Sequence, residues 1–149
     1  MLRSIVAVVV TYVVMAVFIM GVFSAIWFGM GPNQLLEPGS FKGNWFLCIA
    51  APSVTVVAGL FGGWLCRKIG RGTKPVLALA AVVLVLGGIV AYTTLQKPEP
   101  TGVRDPNMTA MELMEKGREP TWLAVFNPIG GAVAVLVGGL LLAAPRKSS

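Results

Sequence analysis

The run SIVAVVVTYVVMAVFIMGVFSAIWFG, Ser4 to Gly29, decides the fold. It is rich in valine and isoleucine, β-branched residues that in water favour a strand. It carries no Asp, Glu, Lys or Arg, and it exceeds the roughly 20 residues that a helix needs to cross a bilayer. In hydrocarbon a lone segment satisfies its own backbone N–H and C=O groups only as a helix. Environment therefore overrides propensity, and the run reads as a membrane-spanning helix.

Three further runs share this character, so the spans fall at about 4–29, 44–66, 75–95 and 121–144. Val, Ala, Leu and Gly dominate each, and none has a charged residue in its interior. Of the 149 residues 56% are hydrophobic and only 12% charged, where a soluble domain carries about 25% charged. The expected fold is an all-α integral membrane protein, one domain of four helices arranged as two hairpins.

Turn residues separate the spans. Gly31-Pro32-Asn33 and Glu37-Pro38-Gly39-Ser40 punctuate a loop over 30–43. Residues 67–74, Arg-Lys-Ile-Gly-Arg-Gly-Thr-Lys, read as a tight basic hairpin, and the longest loop covers 96–120. Lys and Arg in short loops set orientation. Arg3, Arg67, Lys68, Arg71, Lys74, Arg146 and Lys147 fall on one side, and all six acids fall on the other. Both termini and the 67–74 hairpin are therefore expected in the cytoplasm of a bacterial inner membrane. Trp27, Phe28, Trp45, Phe46, Tyr92 and Trp122 would form the outer aromatic belt, with Trp64 at the inner interface. Arg3 followed by an apolar run also outlines a secretory leader, with Val22-Phe23-Ser24 as its cleavage site. The run is too long for a leader's apolar region and reads as a retained span.

The two halves share a pattern. Glu37-Pro38 precedes Trp45, Pro52 and Gly62-Gly63, while Glu119-Pro120 precedes Trp122, Pro128 and Gly138-Gly139. The step from proline to glycine pair is the same in both, and a basic pair follows each. An internal duplication of a hairpin, with its axis along the membrane normal, would produce this. The first and third spans show little matching.

Several chemistries are excluded. The chain has no histidine, so it cannot by itself build a bis-histidine haem site, a histidine-ligated metal or a histidine-based triad. Cys48 and Cys66 lie on one expected helix, roughly 27 Å apart at about 1.5 Å per residue, too far to bridge. The net charge of +6 sits in short clusters beside apolar runs, not on a basic face, so nucleic acid is not a partner. Small multidrug transporters need a membrane-embedded glutamate, quinone-linked thiol oxidoreductases need cysteine pairs, and four-helix cytochromes need histidines. This sequence has only their outline.

The remaining signals concern surfaces. Gly59 and Gly63 form a GxxxG pair, Gly130, Ala134 and Gly138 repeat the spacing, and so do Gly87 and Ala91. Such faces let helix backbones approach closely, within the bundle or against a partner. Pro52 with Ser53, and Asn127 with Pro128, sit at comparable depth, where each proline frees a backbone carbonyl. Together they could frame a small polar cavity. In the long loop Thr109 with Glu112 fits a capping box, and Gly117 fits a helix stop. Met108, Met111 and Met114 offer thioethers to a soft metal such as Cu(I), but without Cys or His to assist them. A short amphipathic helix explains them more simply. Asn107-Met108-Thr109 also matches a glycosylation sequon.

With no ionisable group in any span, neither an enzyme nor a cofactor is expected. The first functional expectation is a non-catalytic accessory subunit or scaffold, partnered by the bilayer and by other membrane subunits or further copies of itself. The second is a channel or carrier for a small solute, with its mouth near Pro52 and Asn127. The third and weakest is copper handling through the methionines.

Overall fold

A computed structural model describes residues 2–98, 105 and 107–142. The chain is all-helical, with α1 over Leu2–Met30, α2 over Pro32–Leu35, α3 over Trp45–Gly70, α4 over Lys74–Gln96, α5 over Ala110–Lys116 and α6 over Thr121–Val137. A π-helical turn, Gly138–Leu142, continues α6. Four of these helices (α1, α3, α4, and α6 with its π turn) are long and apolar enough to cross a membrane. Among the described residues no strand forms, only two isolated bridges.

The helix ends have local causes. Gly31 takes φ +78, which glycine adopts freely, and stops α1. Asn44 caps α3 by accepting from the Leu47 amide at 3.1 Å. Its side-chain amide donates to the Gln34 carbonyl, and its backbone amide donates to Leu35, so one residue joins α2 to α3. At its far end α3 runs four residues past Cys66, to Gly70, and closes on Arg71 in the left-handed conformation. The turn to α4 is thus shorter than the expected 67–74 hairpin. The physical reason is that Arg67 and Ile69 are used as helical residues. Arg67 Nη1 donates to the Gly139 carbonyl at 2.9 Å, and the Ile69 carbonyl accepts from Arg3 Nε at 2.8 Å.

Side by side, α1 packs on α3, α3 on α6, and α6 on α4. The helices α1 and α4 meet mainly near the 71–73 turn, where Ala7, Cys66, Val76, Leu79 and Ala80 form the main buried cluster with Met15, Ala132 and Val135. A second cluster, Trp27, Leu35, Leu36, Phe41 and Leu113, lies at the opposite end under the long connections. Trp27 is therefore a core residue and not part of an exposed belt, because α2 and α5 fold over it. Phe28, Trp45, Tyr92 and Trp122 are exposed. Trp64 stacks on Phe61, and the Lys68 ammonium stands 4.9 Å from its ring.

The two long connections are fastened to each other. The Arg118 amide donates to Phe41, and the Gly43 amide donates to the Arg118 carbonyl, at 2.8 and 3.0 Å. The capping box on α5 is present: Thr109 Oγ1 accepts from the Glu112 amide, and the Glu112 carboxylate accepts from the Thr109 amide. Residues 143–149, with the Arg146-Lys147 pair, and residues 99–104 lie outside the described residues.

Candidate functional site

The closest helix contact is the seam between α3 and α6. A Cβ on Gly59 would stand 2.7 Å from Ala134 Cβ and 3.3 Å from the Val135 nitrogen. One on Gly63 would run into the Val135 carbonyl, and one on Gly138 into the Leu60 carbonyl. Only glycine permits this approach. Gly131 stands beside Thr55, Val135 beside Gly59, and Gly139 beside Gly63. Each pair is separated in sequence by the same interval as Pro52 and Pro128.

Not every small residue named from spacing joins the seam. Gly130 turns away from α3, and a Cβ there would meet only the ring of Phe126 on its own helix. Its neighbour Gly131 is buried and takes the inward place. Gly87 abuts Pro128, with Pro128 Cβ 2.8 Å from a Cβ placed there, so it serves the α4–α6 contact. Ala91, one turn further along α4, is buried and borders a cavity.

That cavity lies beside the α4–α6 contact. Its volume is about 740 Å³, and its walls come from α1, α4 and α6, with Thr55 the contribution of α3. Tyr12, Met15, Ala16, Ile19, Met20 and Phe23 line one side, and Val83, Leu86, Gly87, Val90 and Ala91 the other. It lies between α1 and α4, on the side of the Ala7, Val76 and Leu79 cluster that leads toward the long connections. Part-way along, Thr55 Oγ1 donates to Asn127 Oδ1 at 3.4 Å, and Pro128 and Gly131 complete the wall. At the wide end stand Lys97, Glu115, Gly117, Arg118 and Glu119.

Of the four residues expected to frame a polar cavity, Asn127 and Pro128 line this one. Pro52 and Ser53 do not. Ser53 is exposed and returns its hydroxyl to the Ile49 carbonyl at 2.7 Å. Thr55 takes the place expected for Ser53, since two residues further along α3 turn its side chain toward α6.

The wide end is chemically unusual. Among the described residues the buried Arg118 Nε has no hydrogen-bond partner, and Nη2 donates to the Pro98 carbonyl at 3.5 Å. Burial pushes the Glu119 carboxyl up from the usual carboxylate range. The same two residues, with Gly117, also border a smaller cavity of about 240 Å³ against Phe23, Trp27, Leu36 and Leu47. Sequence reasoning passed over both, although Glu119 is the acid nearest the start of any apolar run.

Met108 and Met111 do not converge on one site. Met108 packs on the Trp27 cluster, while Met111 is 78% exposed. The Met114 side chain lies outside the described residues. Among the described residues no group of three or more His, Cys, Asp or Glu side chains is placed to hold a metal.

No protein-family model matches the chain, and no curated protein or solved structure matches it either.

Proposed function

We propose that the chain is a non-catalytic integral membrane protein of a bacterial inner membrane that binds a lipid-like molecule between α1, α4 and α6. In this reading it crosses the bilayer four times as a bundle of two related hairpins. Both termini and the 71–73 turn face the cytoplasm, and the wide end of the cavity faces the outer leaflet. The seam pairs Thr55–Gly131, Gly59–Val135 and Gly63–Gly139 support the duplication, because equivalent residues of two parallel helices meet on a two-fold axis.

The cavity carries the proposal. Its walls are apolar over most of their length, its volume lies within the roughly 300–1,000 Å³ of small-molecule sites, and a few polar groups gather at one end. A chain-like molecule suits an apolar cleft drawn out along α4.

The test is native mass spectrometry of protein purified in mild detergent, with extraction of whatever is bound. A retained lipid-like molecule is expected, and Ala16→Phe, which fills the cavity wall, should lose it. Wild-type protein at the mass of its bare chain after detergent removal, or the same added mass retained by both proteins, would sink the reading.

A second reading, an accessory subunit docked through its long connections, draws on the rigidity of that end. Arg118 is clamped between Phe41 and Gly43, and the capped α5 presents Met111 and Lys116 outward. Co-purification at native expression level separates the two readings, since stoichiometric protein partners would favour the second.

A further inference from the structure

The cavity joins two kinds of surface that one ligand class would satisfy together. Its length is apolar, and its wide end is bordered by Arg118, whose guanidinium makes, among the described residues, one long side-chain hydrogen bond, to the Pro98 carbonyl. Terminal donors so weakly matched can be used by an acceptor in the cavity. We propose that the ligand is an anionic amphiphile, its chain lying along the α1–α4 cleft and its acidic head accepting from Arg118, with Lys97 beside it. This deepens the binding reading above and rests on it.

Guanidinium is the group suited to such a head. Its planar fork matches the two oxygens of a carboxylate or phosphate, and it stays charged at any physiological pH. The backbone of Arg118 is held on both sides, to Phe41 and to Gly43, which fixes the point from which its side chain starts. Two carboxylates, Glu115 and Glu119, border the same space. Among the described residues neither accepts a hydrogen bond from the Arg118 side chain. A neutral chain of the same length would gain the cleft but leave Arg118 unmatched.

Binding of hexadecanoic acid, hexadecyl phosphate and hexadecanol to delipidated protein in an uncharged detergent, at mildly alkaline pH, tests this. At least one of the two anions should bind about tenfold more tightly than the alcohol, and the better of them identifies the head as carboxylate or phosphate. Arg118→Gln keeps the backbone bonds, so it should remove that preference while leaving the alcohol unchanged. Equal binding of all three by the wild type, or a preference that survives Arg118→Gln, would overturn the inference while leaving the cavity reading intact. Failure of all three to bind, or undiminished binding by Ala16→Phe, would overturn the cavity reading itself.

Discussion

Gly63 and Gly139 meet backbone to backbone: a Cβ on Gly63 would stand 2.8 Å from the Gly139 nitrogen, and one on Gly139 would stand 3.0 Å from the Gly63 oxygen. Lipid offers no hydrophobic drive for helices to associate, so close backbone packing has to supply the attraction.

Gly63→Ala should therefore destabilise the chain by about 2 kcal/mol or more, at the upper end of the range for overpacked sites. Gly88→Ala, where a Cβ meets nothing within 4 Å, should be neutral or stabilising by up to about 1 kcal/mol through helix propensity. Thermal unfolding of both variants in the same detergent checks the contrast. Equal behaviour would mean that α3 and α6 are not in backbone contact.

Glu119 is expected to weaken the fold at neutral pH. Its folded pKa is raised by burial, so the folded state holds the proton more tightly than the unfolded one. Stability then falls as pH rises from the usual carboxylate range through the folded pKa. Glu119→Gln should raise the melting temperature at neutral pH. It should also flatten the dependence on pH, and a variant that melts lower than the wild type would refute the assignment.

Glu112 titrates in the opposite sense. The backbone and side chain of Thr109 both donate to its carboxylate and hold its pKa below the usual range. The capping box is therefore fully formed above that range and is lost as pH falls through the lowered value. Hydrogen exchange of the α5 amides should quicken at low pH beyond the intrinsic trend, and Glu112→Ala should show the faster exchange at neutral pH already. Protection that Glu112→Ala leaves unchanged would show that Leu113 burial alone holds α5.

The Thr55–Asn127 bond between α3 and α6 is long, 3.4 Å. A double-mutant cycle with Thr55→Val and Asn127→Leu should give a coupling of about 0.6 kcal/mol, the mean for such bonds in a membrane bundle. A value near zero would mean that the two groups only share the wall of the cavity.

The long helices were legible because composition and length alone specify them in an apolar solvent. Their ends were less so. Nothing local shows that α3 continues through Arg67 to Gly70, since that depends on Arg67 reaching a carbonyl exposed by the π turn after α6. The small-residue register failed at Gly130 for a related reason. Gly130, Ala134 and Gly138 have the right spacing, yet Gly131 sits one residue away and faces α3 instead, and only the rotation of the packed helix decides between them. Of the residues expected to frame a polar cavity, Asn127 lies on the cavity wall, and its hydrogen-bond partner there, Thr55, is a long-range neighbour that no spacing within α3 marks.

The cavity was not legible at all. It lies between two apolar helices, and the residues on either side look like ordinary lipid-facing ones. Arg118 and Glu119 read as loop charges until the connection over 36–43 is seen to hold them inward.

The glycine seam gives this chain a lopsided genetic vulnerability. Any single-base change in a glycine codon is silent, introduces a stop or adds at least one carbon, and at Gly59, Gly63, Gly138 and Gly139 every added carbon meets a neighbouring atom. Neutral drift at these four positions is thus closed in every direction, while the outward valines of α1 and α4 stay free to interchange with other aliphatic residues.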